Sequence, residues 1–227
     1  MANPTSTVCK HFIPLESNPI VFTDLIHKLG VSQSLAFSDV LSLEDPELLA
    51  FVPRPVHALV LIFPTSAAYE ARKAEKEAAR VEYAGSGAEE DVIWFKQTIH
   101  NACGLYAILH AVCNGEARRY IRERTILSRF LREIVPLASG PRARALEDAA
   151  EFEKVYTAAA MRGDSIVPDS PEAEVAFHFI CLVKSAKNGH LYRLDGDSKG
   201  PIDLGRKGEE GEDVLSGASL GVIKEYV

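Results

Sequence analysis

Four side chains far apart in the chain have the types that acyl transfer through sulfur requires: Gln97, Cys103, His178 and Asp195. A thiolate supplies the nucleophile, and an imidazole takes and returns the proton. A carboxylate can fix the imidazole tautomer, and an amide can donate to a developing oxyanion. Each type alone is common. A lone cysteine on an amphipathic helix is usually a small core hydrophobe, which is the reading given to Cys113 and Cys181. A lone His178 would more often be a satisfied buried histidine, and Asp195 alone a turn residue before Gly196. The case for chemistry rests on the four acting together.

The elements that must bring them together can be read locally. Asp91 to Phe95 is a short apolar run that reads as a strand. It leads into a polar corner and then a helical pattern that Asn114-Gly115 ends. Asn101 is predicted to cap that helix, with Cys103 two residues further on in the first turn. There the free amides and the positive end of the helix dipole favour a thiolate. Gln97 lies upstream, where its amide can work beside the Cys103 N–H.

Phe177–Val183 and His190–Asp195 read as a hairpin. A symmetric loop over Lys184–Gly189 would set His178 directly opposite Asp195, with side chains on one face. A tight turn at Asn188-Gly189 would pair Asp195 with Leu182 instead. Both registers are open at this level.

Asn18-Pro19 starts a helix with Val21, Leu25 and Leu29 on one face, and Gly30 ends it. Asp45–Leu49 is one helical turn, and His57–Phe63, between prolines, reads as a strand buried on both faces. Ser66 to about Tyr83 is a helix rich in Ala, Glu, Lys and Arg, whose charge run is read as a solvated face. Ala84–Ala88 is a flexible connection. Two more helices are predicted over Thr125–Val135 and Arg142–Met161, followed by a polar loop from Arg162 to Glu174. A last helix is predicted over Gly211–Val227, with Val214, Ala218, Val222 and Tyr226 on one face.

The 227 residues, 47% hydrophobic, are enough for one sizeable core, so one domain over 1–227 is the expectation. A formal charge of −7 argues against nucleic acid and suits a basic partner. The four cysteines have no regular spacing, no signal peptide precedes them, and no apolar run approaches the roughly 20 residues of a membrane span. A cytoplasmic monomer with reduced thiols is expected. His100-x-x-Cys103 and His110-x-x-Cys113 superficially resemble metal ligand pairs. Cys103 and His110 are separated by a helical rise of about 10.5 Å, too far for one tetrahedral zinc, so no metal or other cofactor is expected.

Six blocks, in order, carry a resemblance to a known family: Pro14–Pro19, Asp45–Leu49, Val52–Pro55, Lys96–Gly104, Phe177–Ile180 and His190–Gly196. Together they resemble the small single-domain ubiquitin C-terminal hydrolases, a family of cysteine peptidases, over about residues 10 to 205. The resemblance implies an α/β (α+β) fold of papain-like geometry, with helices flanking a mainly antiparallel sheet and a knotted backbone, an exception to the usual rule. It implies Cys103 as nucleophile, Gln97 as oxyanion donor, His178 as general base and acid, and Asp195 as its orienting group. Leu15 and Glu16 match a motif beside the substrate channel, and Arg162–Glu174 falls where the family has a crossover loop limiting the leaving group. The implied substrate is ubiquitin carrying a small or poorly folded adduct at its C-terminal glycine. Family members continue past the last helix into a strand that completes the sheet, so the final strand is expected to be missing here. A ubiquitin-binding module without turnover and a hydrolase for a ubiquitin-like modifier are the competing readings.

Overall fold

Asn18 opens the first helix, α1 (Pro19–Leu29), by accepting from the amides of Ile20 and Val21, and Gly30 closes it at a φ of 115°. Both signals were visible in the sequence. The computed structural model describes residues 9–164, 170, 176–205 and 211–226. After α1 come α2 (Pro46–Leu49), β1 (Ala58–Pro64), α3 (Ala67–Ala78) and α4 (Cys103–Cys113). Then follow α5 (Ile126–Ile134), α6 (Ser139–Glu147), α7 (Ala150–Ala160), β2 (Phe177–Lys184), β3 (Leu191–Leu194), β4 (Ile202–Asp203) and α8 (Gly217–Ile223).

The strands form one antiparallel sheet in the order β1-β2-β3-β4. Helix α4 is buried along its whole length except at Cys103, and it packs chiefly on β2. Its apolar side chains join those of α1, α5, α7 and β2 in the main core. A smaller cluster, in which Leu59, Leu182 and Leu191 meet Leu215, Leu220 and Ile223, seats α8 against the sheet.

Several expectations are corrected. The single helix over Arg142–Met161 is two, α6 and α7, broken at Asp148-Ala149, where no side chain caps the start of α7. The last helix is confined to Gly217–Ile223, because Ser216 caps it by accepting from Ser219 N–H. Strand β1 is not buried on both faces: only Leu59 and Phe63 are buried. Among the described residues it is an edge strand, and its outer side borders an apolar groove of about 460 Å³ that Phe22, Ile26 and Val112 also line. Most of the predicted loop from Arg162 to Glu174 lies outside the described residues.

The β2–β3 register matches neither alternative. Cys181 lies opposite Leu194 and Lys184 opposite Leu191. The turn decides this: Ser185 N–H donates to His190 O at 2.9 Å, and Gly189, with φ 71°, donates to Ser185 O at 3.0 Å. Pairing is therefore displaced by two residues from each expected register. A shift of two keeps every side chain on its face, whereas a shift of one would reverse it. His178 and Asp195 accordingly remain on the same side, as diagonal rather than direct neighbours.

The Asp91–Phe95 run is not a strand. Its backbone is held by side chains. Asn114, at the end of α4, accepts from Ile93 N–H at 2.6 Å and donates to Ile93 O and His110 O, both at 2.9 Å. His110 Nε2 accepts from Phe95 N–H at 3.0 Å. Arg142, fully buried, donates to Trp94 O at 2.9 Å and pairs with Glu90 at 2.6 Å. Complete burial holds the His110 pKa down to about 3, so it stays a neutral acceptor. These bonds fix the segment that leads into Gln97. Asn114→Ala would strand both polar groups of Ile93 in the core. The expected outcome is a loss of about 2–4 kcal/mol in unfolding free energy, measured by urea denaturation.

Candidate active site

Cys103 is the first residue of α4, and the residue before it, Ala102, occupies the N-cap position. The expectation that Asn101 would cap is therefore displaced by one residue. Asn101 instead takes the left-handed conformation, φ 59°, and turns the chain into the helix. An alanine has no side chain to occupy the first-turn amides. The Cys103 thiol is partly exposed, whereas Cys113 and Cys181 are buried and burial pushes both thiols well above their ordinary pKa. That leaves those two as core residues.

His178, the second residue of β2, places Nε2 2.8 Å from Asp195 Oδ1. Nδ1 is the ring nitrogen that Asp195 leaves free, and the Cys103 thiol is near enough to help raise the pKa of the ring. Phe63 meets the ring edge-on, centroids 6.0 Å apart. Asp195 lies just past the end of β3 and is 2% exposed. Its Oδ1 also accepts from Asp197 N–H at 3.0 Å, while its Oδ2 is 3.3 Å from Lys73 Nζ. Its backbone carbonyl accepts from Trp94 Nε1 at 2.9 Å.

Burial alone would lower the His178 pKa, but the hydrogen bonds to Asp195 and Cys103 overcome it and raise the value. Burial likewise opposes ionisation of Asp195, and the bond and charge of His178, with the Lys73 ammonium, hold its carboxyl below the usual range.

Gln97 is fixed through its backbone, its N–H donating to Gly196 O at 2.7 Å. A Cβ on Gly196 would lie 2.9 Å from Gln97 Cβ, so only glycine permits this approach. The Gln97 Nε2 gives one bond to Ile99 O at 3.3 Å, and an amide NH₂ has a second hydrogen to offer. A channel of about 230 Å³ opens beside Cys103, lined by Leu15, Glu16, Ile62, Asn101, Phe177 and Phe179 among others. Leu15 is buried and lies so near Gly104 that an added Cβ there would be 3.2 Å from its own. Glu16 accepts from Asn18 Nδ2 at 3.1 Å. The structure thus brings Cys103, His178 and Asp195 together, with Leu15 and Glu16 on the channel beside Cys103.

Sequence reasoning passed over Lys73 and Phe177. Tyr69, Lys73 and Glu77 on α3, and Arg80 just past its end, recur at helical spacing, but a polar stripe reads as a wet face. Here it docks: Glu77 accepts from Lys199 N–H, Arg80 donates to the carbonyls of Gly200 and Pro201, and Tyr69 packs on Phe63. Phe177 is half exposed on the channel wall.

A first-turn thiol, an imidazole that feels it and a carboxylate bonded to the imidazole is the arrangement of thiol peptidases, here on a helix packed against an antiparallel sheet. The sequence pattern defining ubiquitin carboxyl-terminal hydrolase, family 1, matches residues 12–227, and the chain belongs to that family. It is similar to a ubiquitin carboxyl-terminal hydrolase of Drosophila melanogaster, 41% identical over 197 residues, covering 87% of this chain and 83% of that one. Another, from Saccharomyces cerevisiae, is 37% identical over 210 residues, with 89% and 82% covered. The fold is similar to the catalytic domain of Trichinella spiralis UCH37 bound to ubiquitin vinyl methyl ester, with a TM-score of 0.68, 23% identity, and coverage of 94% of this chain and 86% of that one.

The electrostatics give a stability prediction. Relative to an unfolded pKa of about 6.5, the raised His178 value stabilises the fold fully below that pH, and the benefit fades as pH climbs towards the folded value. The depressed Asp195 contributes fully above about pH 4 and is lost as pH falls through its folded value. The wild-type advantage over His178→Gln in urea unfolding should be greatest from about pH 4 to about 6.5 and shrink steadily by pH 9. An advantage growing with pH would contradict the assigned directions.

Proposed function

We propose that this chain is a cysteine-type ubiquitinyl hydrolase, acting as a single catalytic domain that cleaves bonds at the C-terminal glycine of ubiquitin. The observation that carries the reading is the Cys103–His178–Asp195 relay at the mouth of the channel. Membership of the ubiquitin carboxyl-terminal hydrolase family supports the substrate class.

In this reading His178 Nδ1 takes the thiol proton, and Cys103 Sγ attacks the carbonyl carbon of the last ubiquitin glycine. The oxyanion lies against the Cys103 backbone N–H and the Gln97 amide. As the intermediate collapses, the leaving amine or thiol takes the proton from His178, and a thioester remains on Cys103. Water then gives a proton to His178 and its oxygen to the acyl carbon. Sulfur leaves, takes the proton back, and ubiquitin departs with a free carboxylate. Asp195 holds the imidazole tautomer and balances its charge. A channel of about 230 Å³ suits an extended tail, and membership of the family supports adducts that are small or poorly folded. Glu16 on its wall and the net charge of −7 suit the basic tail of ubiquitin. Four unpaired thiols, and among the described residues no helix long and apolar enough to cross a membrane, are consistent with work as a cytoplasmic monomer.

The test is release of a fluorophore from a ubiquitin C-terminal amide. Wild type should turn over, and Cys103→Ala and His178→Ala should lose activity while still binding ubiquitin. Binding without turnover by wild type would make the chain a ubiquitin-binding module, and a higher kcat/KM on a ubiquitin-like modifier would reassign the substrate. Asp195→Asn should lower kcat by roughly 10²–10⁴ with KM nearly unchanged, and equal losses in both would remove its orienting role. A ubiquitin-derived electrophile should label Cys103 before the other thiols, as mass spectrometry of the peptides would show.

A further inference from the structure

Helix α3 buries no residue, yet its Lys73 is turned inward, with a side chain only 13% exposed. The Nζ donates to Asp197 Oδ2 at 2.7 Å and stands 3.3 Å from Asp195 Oδ2. An exposed lysine pair contributes little to stability and carries no obligation to this position. An ammonium this well enclosed needs a partner, and the two carboxylates are it. The neighbours of the stripe bring it there, since Glu77 and Arg80 fasten α3 to the segment after Asp197.

We propose that Lys73 is a positioning residue for the Asp195–His178 pair. It tethers the carboxylate oxygen that His178 does not use, and it weakens the hold of Asp195 on the imidazolium proton so that His178 can release it to the leaving group. The inference rests on the thiol-hydrolase reading above.

The charges around the pair support this assignment. Asp195 faces His178 from β2, Lys73 and the Tyr69 hydroxyl from α3, the Asp197 carboxylate from its own loop, and Tyr226 after α8. His110 of α4 also feels it, as a neutral ring. His178 faces Asp195, Cys103 and the Phe63 ring. Arg193 of β3 acts on Tyr69 and Tyr226 as well, and it is Lys73 that stands in ion-pair contact with Asp195 beside the imidazole. Without it the full field of the carboxylate acts on the ring, the imidazolium holds its proton to higher pH, and it gives the proton to a departing amine less readily.

The experiment compares Lys73→Met, which removes charge and bond, with Lys73→Gln, which keeps a hydrogen-bonding end without charge. Lys73→Arg is the conservative control. In Lys73→Met, kcat on the fluorogenic ubiquitin amide should fall about tenfold with KM within about twofold, and the alkaline limb of kcat/KM should move up by about half a pH unit or more. Lys73→Gln should show the same displacement, and Lys73→Arg should restore both readings. The His178 ring should titrate with the same upward displacement by NMR, its signal assigned from His178→Gln. That reading uses no substrate, so a wild-type chain inactive on ubiquitin would sink the proposed activity while leaving the Lys73 inference to its own measurement. A His178 titration unmoved in the Met and Gln variants would overturn it, even if their melting temperature fell, because Lys73 would then only anchor α3. A kcat loss that arginine fails to restore would overturn it too.

Discussion

A carboxylate that is 2% exposed is the constraint around which the site is built. Burying Asp195 as an anion costs several kcal/mol unless opposite charge and hydrogen bonds replace its water. The structure supplies the replacements from three directions: the His178 ring from β2, the Lys73 ammonium from α3, and the Asp197 N–H from the loop itself. None of these can be moved without leaving a charge stranded. The burial therefore fixes the relation of β2, β3 and α3, and with it the direction in which the imidazole presents its other nitrogen to Cys103. The ion pair is weak evidence for stability in general, but it is strong evidence for a defined geometry, because few arrangements satisfy both carboxylate oxygens at once.

The other half of the site depends on α4. This helix is buried from Gly104 to Cys113, so its start cannot wander, and Cys103 is placed by everything that packs below it. The same helix reaches back through His110 and Asn114 to hold the irregular segment from Ile93 to Phe95. Gln97 inherits that rigidity, and its N–H bond to Gly196 ties it to the residue following Asp195. Two regular elements and one side-chain-pinned segment thus converge on a single point. The irregular segment is pinned without ladder pairing because Ile93 N–H and O, Trp94 O and Phe95 N–H each bond to a side chain.

What the sequence disclosed follows the reach of its signals. Caps, prolines and glycines act within a few residues, so α1 was readable from Asn18-Pro19 and Gly30. The four candidate residues stood out because their types are rare in combination, and the fold brings His178 against Asp195 near Cys103. The strand register was not readable, since a turn of Ala186 to Gly189 is chosen by its own hydrogen bonds and not by the pattern of the strands. The facing of His178 and Asp195 nonetheless survived, because the error was an even number of residues. Asp91–Phe95 looked like a strand because burial selects apolar residues however the backbone is paired. Lys73 was missed for the converse reason. A polar stripe at helical spacing looks the same whether it faces water or a buried carboxylate, and what distinguishes the two lies more than a hundred residues along the chain, at Asp195.

The start of α4 shows how function departs from the best local choice. A capping side chain at the N-cap would have satisfied a first-turn amide and stabilised the helix by about 1 kcal/mol. Alanine occupies that position, and the chain reaches it through a left-handed Asn101. The helix tolerates this because its stability comes from burial of nearly every residue and not from its ends. Amides left without a cap at the residue bearing the thiol are donors still open to a developing negative charge, and an oxyanion meets that need only when the carbonyl carbon has been attacked. The local instability and the proposed chemistry are thus one feature. The helix has no side-chain cap at its tip, and in the proposed reaction the transition state supplies a transient partner.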